Sequence, residues 1–292
     1  MTPLDAIILG ALQGATEFLP VSSDGHLILA EHLLGIHAEP ATLLVFNLLV
    51  HVATVVAIAI AYREDIVNLL TAAAGKAAWV KSPKFGVEMR DIWYTPEQAR
   101  AILGWIALAV LATGIVHLGV EAMVGEAALE RFITSPLVAG FGFLATSALL
   151  VMGERARPGE ANIRQTGARR AVTIGLLQWL AVLPGWSRSG TTIATGTALG
   201  LNRLDAAKFS FLMAIPLILL AFAKEAMDSR EQLEAGTDTM PYLLGFVTAM
   251  GVGVWAIQFL IRMLRGRGLL PFAYYTAALG IVTLLLVGTG TI

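Results

Sequence analysis

Six long apolar runs limit what this chain can become. Thr42–Tyr62, Ala101–Glu121, Ser135–Met152, Ala206–Ala226, Pro241–Ile261 and Leu270–Leu286 are each long enough to cross a hydrocarbon core of roughly 30 Å, which takes about 20 helical residues. A composition of 57% hydrophobic and 14% charged residues over 292 positions, with mean hydropathy +0.73, lies outside the range of water-soluble domains. The expectation is an all-α integral membrane protein forming one membrane domain over residues 1–292. The absence of cysteine excludes disulfides, thiolate metal sites and cysteine nucleophiles, and a net charge of −1 argues against a nucleic-acid partner. The stretch Met1–Leu19 has no basic leading region and carries Gln13 and Glu17, so it reads as retained rather than as a cleaved signal.

Two further apolar stretches, Leu4–Leu19 and Ala171–Leu183, are too short to cross and run into Pro20 and Pro184, each followed by Ser- and Gly-rich sequence. Irregular backbone survives at membrane depth only where protein or a wet cavity satisfies it. Each stretch therefore reads as the first arm of a re-entrant hairpin, returning through Asp24–Gly35 or Gly190–Leu201. With both hairpins returning to their side of entry, one face collects Arg63, Lys76, Lys81, Lys84, Arg90, Arg100, Arg155, Arg157, Arg164, Arg169, Arg170, Arg203, Lys208, Arg262, Arg265 and Arg267. The other collects only Arg131, Lys224 and Arg230, and Arg188 stays inside the membrane. This 16-to-3 division makes the first face cytoplasmic and places both termini outside. The Arg63–Arg100 connection reads as a solvated basic loop.

The chain also repeats itself. Gly10-Ala-Leu-Gln13 overlays Gly175-Leu-Leu-Gln178, Leu19-Pro20 overlays Leu183-Pro184, Ser23 overlays Ser187 and Phe46 overlays Phe209. Residues 1–152 and 153–292 are thus two halves of one design, and the topology above makes them inverted repeats. Such repeats with broken helices hold their ligand where the breaks meet, near the bilayer midplane.

The breaks carry the polar residues. Gln13 and Glu17, four apart, share one face of the first short helix. Ser22 or Ser23 can cap the next helix, whose free N–H groups suit a phosphate oxygen, and His26 lies in its first turn. The second break adds Ser187, Arg188, Ser189 and Thr192. An arginine at the bilayer centre costs about 2.5–3.5 kcal/mol on insertion scales, and its fork matches phosphate. Structural pairing of Arg188 with Glu17 or Asp24 is the plainer alternative, but leaves the surrounding hydroxyls unexplained. Gln13, Glu17 and Asp24 offer oxygen ligands for a divalent cation, Mg²⁺ or Ca²⁺, carried with substrate phosphates. His32, His37, His51 and His117 have no comparable setting, and His51 is the one worth testing.

At Glu17-Phe-Leu-Pro-Val-Ser-Ser-Asp-Gly-His26 and Pro184-Gly-Trp-Ser-Arg-Ser-Gly-Thr-Thr192 the sequence resembles the bacterial undecaprenyl-diphosphate phosphatase family, also known for bacitracin resistance. The likeness extends through Phe46–Thr54, Pro136-Leu-Val and Pro271-Phe-Ala-Tyr-Tyr275. It implies hydrolysis of a polyprenyl diphosphate lipid at a site open to the outer face of the inner membrane, with a divalent cation involved and bacitracin competing for the same lipid. The family's acidic motif falls on Gln13 and Glu17, its Ser-Ser-x-Gly-His element on Ser22, Ser23, Gly25 and His26, and its arginine motif on Ser187, Arg188, Ser189 and Thr192. Asp24 replaces the usual Ser or Thr. Thr276 stands where an arginine commonly follows the Pro-Phe-Ala-x-Tyr run, a change expected to touch loop or headgroup contacts.

In the reaction so implied, Arg188 and the helix starts hold the diphosphate, and either Ser23 or His26 attacks the terminal phosphorus. If Ser23 attacks, His26 or Glu17 takes its proton. A transporter or flippase of an anionic lipid explains the architecture equally but needs no nucleophile. A non-catalytic lipid-binding subunit is a third reading, should Asp24 abolish the chemistry. A homodimer is compatible with the sequence, though no single-face motif demands one.

Overall fold

The computed structural model describes residues 1–36, 39–76, 94–156, 159–228 and 239–292. Lys81, Lys84, Arg90, Arg157 and Arg230 of the charge division, and His37, lie outside them. The described residues are helical almost throughout, as α1 (Pro3–Phe18), α2 (Ser23–Leu34), α3 (Pro40–Ala61), α4 (Arg63–Ala73), α5 (Pro96–Val124), α6 (Glu126–Ile133), α7 (Pro136–Arg155), α8 (Gly167–Gln178), α9 (Arg188–Ala198), α10 (Arg203–Asp228), α11 (Thr239–Gly266) and α12 (Leu270–Gly288). All six expected spans are there: α3, α5, α7, α10, α11 and α12 are long and apolar enough to cross a membrane.

Local chemistry accounts for the helix starts. Thr2 and Thr95 each form a reciprocal cap with the residue three on, Asp5 and Gln98, and Ser135 accepts from the Val138 N–H. In all three a proline follows the cap, where its fixed φ and missing N–H cost nothing. At the far end of α2, Gly35 takes the left-handed conformation that closes a helix.

The expected short arms are present as α1 with α2, broken at residues 19–22, and α8 with α9, broken at 183–187. The second is less regular than expected, because α8 tightens into a 3₁₀ turn at Trp179–Val182 before its proline. Neither first arm packs mainly on its own half. Helix α1 lies on α11, and α8 lies on α5.

Glycines make both approaches close. A Cβ on Gly10 would come within 2.5 Å of the Gly245 carbonyl oxygen, and one on Gly175 within 2.2 Å of that of Ala109. Gly10 and Gly175 are the positions overlaid in the repeat, so the seat as well as the sequence recurs. With no hydrophobic drive between helices in lipid, such backbone proximity is what holds them. The remaining packing is reciprocal too: α3 meets α11 as α10 meets α5, α3 meets α10, and α7 meets α12.

One end of the bundle gathers the basic residues. Arg164, Lys208 and Arg265 line a cavity there with Tyr62, Asn162, Asn202 and Asp205, and Lys208 pairs with Asp65 at 2.6 Å. Arg203 pairs with Glu154, whose other oxygen accepts from the Leu269 N–H at 2.8 Å.

Candidate active site where the two helix breaks meet

The breaks touch directly. Gly25, in the first turn of α2, leaves no room for a Cβ against Gly185 and the Phe143 ring. Gly185 has φ +78°, a conformation suited to glycine, and its own missing Cβ would sit 2.0 Å from the Ala139 carbonyl oxygen. The Thr146 hydroxyl on α7 donates to the Gly185 carbonyl at 2.8 Å and accepts from the Ser187 N–H at 2.8 Å. Ser189 donates to the Leu19 carbonyl at 3.0 Å, joining the second break to the first.

On the first break Glu17 is the hub. It is 7% exposed and accepts on Oε2 from Gln13 at 2.9 Å and from the Ser23 hydroxyl at 2.7 Å. Its Oε1 accepts from Arg188 Nη2 at 2.5 Å. The pairing of Arg188 with Glu17 foreseen as structural glue therefore exists, yet the other arm of the fork, Nη1, is buried without a hydrogen-bond partner. Gln13 Oε1 is likewise unpartnered. Unmade bonds of this kind cost about 1–3 kcal/mol each. A free guanidinium arm beside a hydroxyl and two helix starts is a receptor for an anionic oxygen.

Ser22 has φ +70°, rare for a residue with a side chain. Its conformation is held at both ends. Its hydroxyl caps α2 by accepting from the Gly25 N–H at 3.5 Å, and its carbonyl lies 2.6 Å from His26 Nδ1. The other ring nitrogen, Nε2, is 2.7 Å from the Tyr275 hydroxyl, with the two rings stacked. Both nitrogens of His26 are thereby engaged, and the ring presents neither to the cavity.

That cavity, of about 710 Å³ including its open mouth, is walled by Glu17, Ser22, Ser23, Asp24, Ser187 and Arg188 among the expected residues, together with His51 and Trp186. Gln13 stands behind Glu17. Gly25, His26, Ser189 and Thr192 support the wall without lining it; Thr192 bonds to Ser210 at 2.6 Å and to the Arg188 carbonyl at 2.9 Å. His51 Nε2 lies 3.8 Å from Asp24 and 4.0 Å from Glu17, while Nδ1 meets the Asn47 carbonyl at 2.7 Å. Among the described residues no group of three or more His, Cys, Asp or Glu side chains could hold a metal ion alone.

Two residues gained importance over the sequence reading. His51 had only its place in a span to mark it, and Tyr275 was quoted for resemblance without a role. Nothing in the sequence sets Tyr275 apart, since its helix also carries the hydroxyls of Tyr274, Thr276 and Thr283 and its partner lies far away in the chain. Thr276 is corrected: it is fully buried and bonds back to the Phe272 and Ala273 carbonyls, so it is neither a loop nor a headgroup residue.

Fold and site together define a multi-pass membrane protein with a polar pocket that carries a hydroxyl hydrogen-bonded to a carboxylate, itself paired with an arginine. The model of the family "Bacitracin resistance protein BacA" matches residues 6–282, and the chain belongs to that family. It is similar to an undecaprenyl-diphosphatase of Methanosphaera stadtmanae, 37% identical over 285 residues and 97% of each chain. It is also similar to proteins of the same name from Desulfosudis oleivorans, 38% identical over 97% of this chain and 98% of that one, and Carboxydothermus hydrogenoformans, 35% identical over 99% of each.

Proposed function

We propose that this protein hydrolyses undecaprenyl diphosphate to undecaprenyl phosphate and inorganic phosphate, recycling the lipid carrier of cell-wall synthesis. The observation that carries the mechanism is the chain Ser23–Glu17–Arg188, with contacts of 2.7 and 2.5 Å, on the wall of the cavity where the two helix breaks meet. Ser23 is the nucleophile. Its hydroxyl already donates to Glu17, which accepts the proton as the oxygen attacks the terminal phosphorus. The bond from that phosphorus to the bridging oxygen breaks, and the electron pair leaves with undecaprenyl phosphate. Glu17 releases its proton to the departing phosphate or to water. A water molecule then attacks the phosphoserine phosphorus, Glu17 takes that water's proton and passes it to the serine oxygen as the phosphorus–serine bond breaks, and inorganic phosphate leaves.

Arg188 Nη1 and the N–H groups opening α2 and α9 receive the charge that develops on the phosphoryl oxygens. His26 acts through position: it clamps the Ser22 turn from which Ser23 projects.

A divalent cation fits as a companion of the substrate. Glu17 has both oxygens engaged, so Asp24, half exposed to the cavity, would hold the ion, with the unpartnered Gln13 Oε1 close behind Glu17. Bound there, it would neutralise diphosphate charge. The charge division of the loops supports a cavity opening toward the outer face of the inner membrane, and bacitracin would compete for the same lipid. Transport as the main activity has no observation of its own in its favour.

The test is phosphate release from undecaprenyl diphosphate by detergent-purified protein. Wild type is expected to turn over, to slow when divalent ions are chelated, and to lose about 10³-fold or more of kcat on Ser23→Ala. Folded wild type that releases no phosphate under any ion condition defeats the enzyme reading; full activity of Ser23→Ala defeats the serine mechanism alone.

A further inference from the structure

The basic end of the bundle holds a cavity of about 820 Å³ including its open mouth, and it shares no lining residue with the catalytic one. It lies where Tyr62 closes α3, the first turns of α10 begin and the last turns of α11 end, with Arg164 contributed by the turn before α8. Three spans end there, so the cavity stands at the level where a bilayer gives way to water. Its walls are rich in donors. Arg164, Lys208 and Arg265 face a single lining carboxylate, Asp205, which already accepts from the Asn202 amide at 2.6 Å. Lys208, 3% exposed, is matched from behind by Asp65 at 2.6 Å. Three cations against these two carboxylates leave one positive charge over. Asn162 adds an amide N–H₂, its oxygen being taken by the Arg164 N–H at 3.0 Å.

We propose that this cavity is a second anion site, which binds a phosphate group at the cytoplasmic surface, carried by an anionic phospholipid or free in solution. A buried lysine needs one carboxylate to stay charged, and Asp65 supplies it; two guanidinium groups around an open cavity are more than that pair requires. Their planar forks match the oxygens of a phosphate. Basic pockets between span ends on the cytoplasmic side are where anionic headgroups settle.

The two sources of that phosphate differ in what they cover. Ile163, Leu204 and Ile261 lie among the polar groups of the wall. A phosphodiester brings glycerol and acyl carbon to place against them, whereas free phosphate engages the donors alone. Nothing in this site depends on the phosphatase reading.

The chain lacks cysteine, so one introduced thiol reports on this cavity alone, and phosphate held at Arg188 cannot shield it. Full-length Leu204→Cys, checked for a wild-type size-exclusion profile, is reacted with an uncharged maleimide in detergent with and without inorganic phosphate. The same reaction is run in vesicles of phosphatidylcholine with and without phosphatidylglycerol. The expected result is a labelling rate about fivefold or more lower when the site is occupied, with the protection lost once Arg164→Gln and Arg265→Gln are added to the chain. Protection by phosphatidylglycerol but not by inorganic phosphate supports the site with a lipid headgroup as its ligand; protection by inorganic phosphate supports it with the free ion. Equal rates in all four settings overturn the proposal, and so does protection that survives the loss of both arginines.

Discussion

The two helix breaks solve one architectural problem with opposite chemistry. In each, a short helix stops near a proline, a serine caps the next helix, and a residue of positive φ makes the turn. In the second break that residue is Gly185, for which the conformation carries no steric penalty; in the first it is Ser22, for which it does. At overlaid positions just after the capping region the first break has Asp24 and the second Arg188. The difference teaches that the breaks have divided the labour. The second is relaxed, braced by Thr146 and close-packed glycines, and supplies a fixed positive charge. The first is held under strain by His26 and, in the proposed mechanism, supplies the proton acceptor and the nucleophile.

The sharpest way to break this comparison is to exchange the turn residues. Gly185→Ala places a Cβ on the Ala139 carbonyl and is expected to leave no correctly folded protein by size-exclusion and thermal unfolding, whereas Ser22→Gly is expected to fold normally. Equal behaviour of the two would remove the distinction between relaxed and strained. Next in size, Arg188→Ala is expected to lower kcat by about 10²–10³-fold, as when a charge-stabilising donor is lost. A loss seen in KM alone would reassign Arg188 to substrate capture.

A subtler prediction concerns His26. His26→Ala is expected to cost about tenfold in kcat by releasing a turn strained by roughly 1–2 kcal/mol, and Ser22→Gly in the same chain is expected to recover most of it. No recovery would mean that His26 acts on the substrate directly. The smallest effect belongs to Tyr275→Phe, which leaves the stacked ring and removes one hydrogen bond of about 1 kcal/mol, hence a loss of about fivefold.

Much of this molecule was legible because the bilayer simplifies the code. Span length and proline breaks follow from the absence of water around the backbone, and the six spans fell where apolar runs placed them. The polar residues of both breaks were legible for the same reason: a membrane interior tolerates Glu17 and Arg188 only together. What stayed hidden depends on contacts that no helical period encodes. Gln13 and Glu17 are neighbours on one helix and can be read as such, but Tyr275 reaches His26 from α12, 249 residues away. The inward turn of Ser189 and Thr192 was equally invisible, since a hydroxyl facing a cavity and one bonded to a carbonyl look alike in sequence. His51 was half visible, as a histidine in a span with nothing nearby to say what it faced.

The cross-packing of the first arms has a consequence for how the protein is made. Gly10 seats on Gly245, so α1 leaves the ribosome more than 200 residues ahead of the helix that forms its resting place. Until α11 arrives, the first hairpin must stay near the membrane surface or shelter against temporary neighbours, and until α9 arrives Glu17 lacks its Arg188 partner. The second hairpin does not wait, since α5 is already in place when α8 emerges. A chain truncated before α11 should therefore hold one seated hairpin and one homeless one, the form that a membrane quality-control protease would recognise and remove.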